Sequence, residues 1–352
     1  MRNSYSFLQR ILHKISLEND IFLEASFLLE KEIQKNSLKV APKIPKVFIS
    51  GLARSGTTSI LNNLVNEGSF FSLGYKNLPF IMMPSLSKKI YNPKINKTFK
   101  ERAHGDSIWV NEESPEAIDE VFWKMILENS FIGKNEINFH KLNKKVILEY
   151  LNFILLHLQG AENNQTIYCT KNNNNILRLS SLEKYFPNET FIITFRDPIQ
   201  HALSLRKQHL KFVEKQKKDP FILSYFNSLG HHEFGLGLKP FYLGDDIIFS
   251  RILNGDSQTM DYWLYVWLNY YKYFLNIQTG NEIIISFENL CVNPNKELKK
   301  IFKKTKVKGK STFKPFERIH YKLDEEVDLH LMSECYQIYN QLLIQSEIEH
   351  VE

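Results

Sequence analysis

The chain has 352 residues, with 43% apolar and 24% charged side chains, a composition that excludes a disordered chain and a fibrous repeat. With 26 Phe, 16 Tyr and 4 Trp against 14 Gly and 12 Pro, it can bury a sizeable core, in one large α/β domain or in two smaller ones. The formal net charge of +6 is compatible with an anionic ligand, but no basic stripe interleaved with aromatic residues predicts a nucleic-acid partner.

The predicted elements begin with an amphipathic helix over residues 1–38, where apolar side chains recur at helical spacing. Short β-rich runs then alternate with helical segments, and this alternation predicts an α/β fold with a parallel sheet covered on both faces. Strands are predicted at 47–50, 69–73, 166–170, 190–195 and 282–287. Helices are predicted at 57–66, 145–158, 176–185, 199–214 and 259–275. The last of these helices is aromatic on all sides, which predicts that it is buried.

Two segments, 75–125 and 218–257, interrupt the alternation. Both are too long for ordinary connections, so we expect them to pass over the carboxyl edge of the sheet, where a substrate would be held. The predicted organisation is an N-terminal helical extension at 1–45, a domain at 46–315 that contains both excursions, and a C-terminal helical segment at 316–352 that packs on the same domain.

A basic segment lies near the C-terminus. Residues 296–314 hold nine lysines and a single acidic residue, Glu297, whereas the residues after 316 are mainly acidic. This asymmetry is compatible with a polyanionic ligand, although a solvated, lysine-rich helix face is the commoner explanation.

The three cysteines, Cys169, Cys291 and Cys335, are far apart in the sequence. Without a Cys-x-x-Cys pair or a paired Cys/His spacing, they predict neither a disulfide framework nor a structural zinc site. The N-terminal residues lack the pattern of a signal sequence, and no run reaches the roughly 18 apolar residues that span a bilayer. We therefore expect a cytoplasmic protein without a transmembrane segment.

A glycine-bearing loop, GLARSGTT at 51–58, lies between the first predicted strand and a helix. Such a turn aims successive backbone N–H groups at one anion, and the helix N-terminus adds its dipole, so the loop predicts a phosphate site. Nucleotide triphosphatases place a lysine after the second glycine, where this chain has Thr57, and the only cation in the loop is Arg54. This displacement disfavours Mg²⁺-assisted transfer of a γ-phosphoryl group.

A second anion site is predicted where the strand at 190–195 ends in Arg196, Asp197 and Pro198. Ser204 follows on the next helix, eight residues after the arginine. A guanidinium and a hydroxyl placed in this way can converge on one anion, because open parallel sheets bind ligands at the carboxyl ends of their strands. Taken alone, Arg-Asp-Pro could equally be a structural ion pair.

Together, the two segments resemble the sulfotransferases that use 3′-phosphoadenosine 5′-phosphosulfate (PAPS). The family's 5′-phosphosulfate loop, basic-Ser-Gly-Thr-Thr, is matched at 54–58, and its 3′-phosphate motif is matched by Arg196 and Ser204. The segments at 102–106, 171–198 and 284–294 are similar to bacterial and carbohydrate-type members, so the resemblance spans about residues 46–305. It implies a three-layer fold like that of P-loop NTPases, with a central parallel sheet flanked by helices.

The resemblance also implies roles for individual residues. The loop amides and the Thr57 and Thr58 hydroxyls would hold the 5′-phosphate, and Arg54 would neutralise the bridging oxygen as the sulfuryl group departs. The 3′-phosphate would be held at the second site, and no metal is required. The residues expected to bind PAPS, and its product 3′,5′-adenosine bisphosphate (PAP), are Arg54, Ser55, Gly56, Thr57, Thr58, Arg196 and Ser204.

The acceptor needs a general base, and the sequence leaves several open. His104 is the first choice, because imidazole titrates near neutral pH and Asp106 could orient it, although a loop histidine bound to backbone is the alternative. Glu113 competes with it, together with Glu112 and Glu116, although this stretch also suits a plain helix start.

Two further positions carry charged or ligand-type side chains. Lys171, at a predicted strand end, either reaches the transferring sulfuryl group or lies on the surface. The run His231-His232-Glu233 invites a metal assignment, but adjacent histidines point to different sides of a chain, so a solvated loop is favoured.

The predicted function is a cytoplasmic, PAPS-dependent sulfotransferase that acts on a hydroxyl or amine acceptor, a small molecule or glycan, with a sugar or glycan precursor favoured. The alternatives are a catalytically inactive partner protein that binds PAPS or PAP and, less favoured, a P-loop kinase. Acceptor identity and oligomeric state, including a homo-oligomer, are left open by the sequence.

Overall fold

The computed structural model describes residues 6–39, 43–90, 100–101, 109–110, 118–158, 166–309, 313 and 319–348. Its centre is a five-stranded sheet in which all neighbouring strands are parallel. The strands are β1 Lys46–Gly51, β2 Phe70–Phe71, β3 Lys100–Glu101, β4 Trp109–Val110, β5 Ile137–Asn138, β6 Ile167–Lys171, β7 Thr190–Phe195, β8 Phe241–Tyr242 and β9 Ile283–Ser286. The central sheet has the order β2-β6-β1-β7-β9, while β3 pairs with β4 and β5 with β8.

The helices cover both faces of this sheet. Together with the sheet they form the predicted α/β fold, with a central parallel sheet flanked by helices. The helices are α1 Phe7–Glu18, α2 Asp20–Ile33, α3 Lys35–Lys39, α4 Thr57–Glu67, α5 Pro84–Ile90, α6 Glu120–Ile126, α7 Lys144–Leu158, α8 Leu179–Tyr185, α9 Pro198–Lys218, α10 Pro220–Ser228, α11 Asp246–Leu253, α12 Met260–Ile277, α13 Phe287–Val292, α14 Pro294–Thr305 and α15 Leu329–Ser346.

The core lies in two layers because the side chains of a strand alternate between faces. On one face, Val47 and Ile49 of β1 pack with Leu61 of α4 and Ile301 of α14. On the opposite face, Phe48 belongs to a larger cluster that includes α7, α9 and α12. Every residue of β1, β6, β7 and β9 is buried, as expected for a parallel sheet with helices on both sides.

The predicted strands and helices of the sheet domain are confirmed, and α12 is buried along most of its length, as its aromatic composition indicated. The single N-terminal helix predicted over 1–38 is wrong, because the described part of that segment forms α1, α2 and α3. The first break falls at Asn19, which ends α1 and caps α2 by accepting a hydrogen bond from the Phe22 amide at 3.0 Å. Asparagine favours caps over helix interiors, so it starts a new helix here.

Three lysines of the basic segment lie on the solvent-facing side of α14. Lys296, Lys299 and Lys303 are exposed, whereas Leu298 and Ile301 on the other side of the helix are buried in the core. The solvated helix face favoured from the sequence therefore accounts for this part of the positive charge. The division into 1–45, 46–315 and 316–352 stays a prediction. No helix among the described residues has the length and apolar character needed to cross a membrane.

Candidate active site

The loop that follows β1 is closed by its own side chains. Ser55 donates its backbone N–H to the Leu52 carbonyl at 3.2 Å, and its hydroxyl donates to the same carbonyl at 2.7 Å. The Ser55 hydroxyl also lies 2.5 Å from Oγ1 of Thr194 on the neighbouring strand β7. Ser55 is buried, and these hydrogen bonds stabilise the loop against β7.

Gly56 permits the chain to enter α4. Its φ of +95° lies in the left-handed region, where a Cβ is strained, and an added Cβ would lie 2.9 Å from Cδ2 of Phe287. Gly56 stands at the N-cap of α4, so no capping side chain covers the amides of the first turn. Those amides and the dipole of this helix form an anion-binding end, at which the sequence places Thr57 and Thr58.

The second predicted site starts at the end of β7. Asp197 caps α9 by accepting a hydrogen bond from the Gln200 amide at 2.9 Å, and its other oxygen accepts one from the Tyr336 hydroxyl at 3.1 Å. Pro198 occupies the first turn of α9, a position that a proline tolerates because the missing N–H has no helical acceptor there. These contacts give Asp197 a structural role as a helix cap.

Arg196 is buried, and its guanidinium lies against aromatic rings. Its central carbon is 4.5 Å from the ring centre of Phe287 and 5.9 Å from that of Tyr321. One terminal nitrogen donates to the Ile319 carbonyl at 3.4 Å. Aromatic faces hold the plane of a guanidinium while they leave its charge intact, so Arg196 is a fixed cation at the carboxyl end of the sheet.

Helix α9 joins the two predicted sites. Nε of Arg54 donates to the Ser204 hydroxyl at 3.2 Å, and Nε2 of His201 lies 2.8 Å from the Ala53 carbonyl within the loop. Burial, together with the charges of Arg196 and Arg54, lowers the pKa of His201 to about 3. Both arginines are therefore close to the same turn of α9, and His201 holds the loop as a neutral ring.

A third strand end contributes Lys171. This buried lysine closes β6, where it pairs in register with Ile49 of β1, and the next amide, that of Asn172, donates to the Ile49 carbonyl at 3.0 Å. The structure thus places Lys171 at the base of the loop at 51–58, and the surface position that the sequence left open is wrong.

Behind Asn172 lies a buried carboxylate pair that the sequence did not reveal. Asp119 accepts hydrogen bonds from Asn172 at 3.0 Å, from the Thr170 hydroxyl at 2.9 Å and from the Tyr150 hydroxyl at 3.2 Å. Burial, helped by the neighbouring charge of Glu120, raises the pKa of Asp119 to about 6. The pair fixes the position of the chain where it leaves β6.

Glu120, the other member of the pair, accepts a hydrogen bond from Asn172 at 2.7 Å and forms a buried ion pair with Arg178. The guanidinium of Arg178 stacks on Trp123, 4.6 Å from its ring centre. Two adjacent acids at the start of a helix give no sequence signal for such a network, because their partners come from distant segments.

The run at 231–233 lies close to the same edge. Asn173 donates to Oε1 of Glu233 at 3.0 Å, and Nδ1 of His231 is 3.6 Å from the other oxygen, Oε2. Burial favours the neutral acid, but the charge of His231 and its hydrogen bond, with the charge of Lys171, hold the pKa of Glu233 at about 2. His232 is buried instead, with Nδ1 3.2 Å from the Gly237 carbonyl. The solvated loop expected here is therefore a packed segment.

The base residues predicted from the sequence, His104 and Glu113 with Glu112 and Glu116, lie outside the described residues. The other predicted site residues lie at the ends of β1, β6 and β7, which are neighbours in the sheet. Within the described ranges, no group of three His, Cys, Asp or Glu side chains is arranged to hold a metal ion.

Comparison with known proteins gives one family. A family model described as the sulfotransferase family matches residues 45–225. Sulfotransferase STF9 from Mycobacterium avium is similar in structure at 11% identity and a TM-score of 0.47, covering 99% of this chain and 80% of that one. Sulfotransferase STF1 from Mycobacterium tuberculosis H37Rv has 11% identity and a TM-score of 0.48, and the match covers 99% of this chain and 85% of that one. A sulfotransferase from Alicyclobacillus acidocaldarius has 13% identity and a TM-score of 0.41, and the match covers 87% of this chain and 95% of that one. Among curated proteins, no match was found.

Proposed function

The chain belongs to the sulfotransferase family, and from that premise we propose that it moves a sulfuryl group from PAPS to a hydroxyl or amine of a sugar or glycan precursor. One contact carries the proposal. Nε of Arg54 donates to the Ser204 hydroxyl at 3.2 Å, so the loop after β1 and the helix after β7 meet at the side chains assigned to the two phosphates.

The sheet explains why one nucleotide can occupy both sites. Strands β1 and β7 are direct neighbours, with Gly51 opposite Thr194, and adjacent strands lie about 4.8 Å apart. The loop at 51–58 and the guanidinium of Arg196 therefore start from the same edge of the sheet. A nucleotide with phosphate groups on both its 5′ and 3′ oxygens matches two anion sites, whereas ATP has a single phosphate chain.

The reaction in this scheme is a substitution at sulfur. The acceptor oxygen or nitrogen forms a bond to sulfur, the bond from sulfur to the 5′-phosphate oxygen breaks, and that oxygen keeps the bonding electrons. In this scheme the negative charge that grows on the leaving 5′-phosphate oxygen faces Arg54, the amides at the start of α4 and Lys171. Fixed charges and dipoles that stabilise a developing charge are a main source of catalysis. His104 and Glu113 are the bases that the sequence predicts for the acceptor proton.

The side chains around Lys171 favour a hydroxyl-rich acceptor. Asn173, two residues after Lys171, donates a hydrogen bond to Glu233, whose carboxylate is kept ionised in part by the charge of Lys171. Sugars are recognised through such groups, because each hydroxyl both donates and accepts hydrogen bonds. We place this activity in the cytoplasm, as the sequence predicts.

Thermal unfolding with nucleotides tests the donor assignment. PAP in the absence of Mg²⁺ should raise the melting temperature, and Ser204→Ala should reduce that rise. Stabilisation by ATP with Mg²⁺ but not by PAP would overturn the assignment in favour of a kinase.

A second measurement tests turnover. Labelled sulfate should pass from PAPS to at least one member of a panel of sugars, amino sugars and glycan precursors. Binding of PAP without any consumption of PAPS, even over long incubation with the panel, would contradict the transferase and leave a nucleotide-binding partner protein.

A further inference from the structure

A histidine and a glutamate from the second excursion lie near the carboxyl end of β6, where Asn173 donates a hydrogen bond to the glutamate. We propose that His231 is the general base that removes the proton from the acceptor, in place of His104 or Glu113, and that Glu233 is the positioning residue that orients its ring. The inference rests on the proposed function, since it names the base for that reaction.

The turn that carries His231 is fixed by packing. Gly230 has a φ of +76°, and an added Cβ would lie 2.5 Å from Cγ of the buried Glu120. The His231 amide then donates to the Phe226 carbonyl at 2.9 Å, and the imidazole meets the Phe226 ring edge-on, with 6.1 Å between ring centres. These contacts fix the path of the backbone after α10 and hold the imidazole of His231 against the C-terminal end of that helix.

Glu233 links this turn to the sheet. Its Oε1 accepts a hydrogen bond from Asn173, two residues after the end of β6, and its Oε2 faces Nδ1 of His231 at 3.6 Å. Against the effect of burial, the charges of His231 and Lys171 lower the pKa of Glu233 to about 2, so its carboxylate is ionised at neutral pH and faces Nδ1. In the proposed tautomer Nδ1 carries the proton toward this carboxylate and Nε2 carries the lone pair, which is the form a base needs.

The location suits attack on the donor. Strand β6 lies beside β1, and the amide of Asn172 bonds to Ile49, two residues before the loop at 51–58 begins. Two further histidines among the described residues are buried against backbone carbonyls: His232 beside the Gly237 carbonyl, and His201 beside the Ala53 carbonyl. His231 is only partly buried, so a substrate that enters this edge of the sheet can reach it.

The proton balance is simple. As the acceptor oxygen forms its bond to sulfur, its proton passes to Nε2 of His231, and the imidazolium is stabilised by the carboxylate of Glu233. The departing 5′-phosphate keeps the electron pair of the broken bond. The imidazolium afterwards returns the proton to solvent, and no oxidant, reductant or metal takes part.

The test compares two histidines that each face a glutamate. His231→Ala and His231→Gln remove the proposed base, whereas His330→Ala removes an exposed histidine whose Nδ1 lies 3.9 Å from Glu334 on α15. Release of PAP from PAPS is measured with water and with added sugars as acceptors, and PAP affinity is measured by calorimetry. We expect both His231 variants to lose about 100-fold or more in kcat, with PAP affinity changed by no more than about twofold, and His330→Ala to match the wild type.

The variant Glu233→Gln tests whether Glu233 orients the imidazole of His231. Among the described residues, His231 lies against Glu233 on its own segment and the ring of Phe226 on α10, and the charge of Lys171 on β6 acts on the Glu233 carboxylate. Loss of the negative charge beside Lys171 should lower the pKa of the imidazole, so the acidic limb of the kcat profile should move to lower pH while kcat falls about tenfold. A merely structural role would reduce activity without moving that limb.

The outcomes separate the two proposals. If the wild type consumes PAPS and the His231 variants retain turnover within about threefold, the inference is overturned while the sulfotransferase assignment stands. An unmoved pH profile in Glu233→Gln would remove the positioning role. Failure of the wild type to bind PAP overturns the donor assignment and the inference together, and binding without any turnover shows that no base acts.

Discussion

Asp119 gives a prediction whose size follows from its surroundings. The carboxyl has an ordinary pKa of 3.8 and a pKa of about 6 in the folded protein, because burial and the charge of Glu120 disfavour its ionised form. Between these two values the folded chain holds a proton that the unfolded chain has released. Stability from this group is therefore greatest in acid and is lost as the pH rises through about 6.

The assay is urea unfolding of the wild type and of Asp119→Asn from about pH 4.5 to about pH 7.5, a range over which this group should contribute about 2 kcal/mol. The wild type should lose about that much free energy of unfolding relative to the variant as the pH rises. Other titrating groups are common to both proteins and cancel in the difference. A constant difference between the two proteins across the range would show that the folded state does not raise the pKa of Asp119.

Two further predictions concern the donor site. Gly56→Ala should weaken PAP binding about tenfold or more and cost about 1–2 kcal/mol of stability, because a Cβ at this left-handed position meets Phe287. Gly280→Ala, at a φ of +84° with open space around it, should cost similar stability and leave PAP affinity unchanged in calorimetry; equal loss of binding would contradict the role of the loop. Arg196→Met should weaken PAP about 100-fold or more, as loss of charged hydrogen bonds implies, and leave 5′-AMP unaffected. Equal weakening of both nucleotides would show that Arg196 does not contact the 3′-phosphate.

The strands could be predicted because parallel strands buried on both faces are continuous apolar runs. The runs around Phe48 and Ile192 show this pattern, and both fall in the sheet as predicted. The strand-to-helix turns at 51–56 and 196–197 could also be identified, because glycine in such a turn and proline in the first turn of the next helix mark where a strand ends and a helix begins. Helix boundaries were harder to predict, because a single capping residue, Asn19, divides an otherwise continuous amphipathic pattern into two helices.

The polar network behind β6 could not be read from the sequence. Asp119 reaches Thr170 and Asn172, about fifty residues away in the chain, and such pairs leave no periodic pattern. The partner of His231, Glu233, is only two residues away in the sequence. The sequence does not show that Asn173 binds Glu233 and so places the pair near the end of β6. The local sequence predicted a solvated loop at 231–233, whereas in the structure this segment packs against the residues that follow β6.

In the proposed function the ends of β1 and β7 hold the two phosphate groups of one nucleotide, and a crystal structure of the chain with PAP bound would show whether they do. We expect the 5′-phosphate at the amides of residues 54–58 and the 3′-phosphate within hydrogen-bond distance of Arg196 and Ser204. A nucleotide bound with neither phosphate at these positions, for example along the lysines of α14, would contradict it.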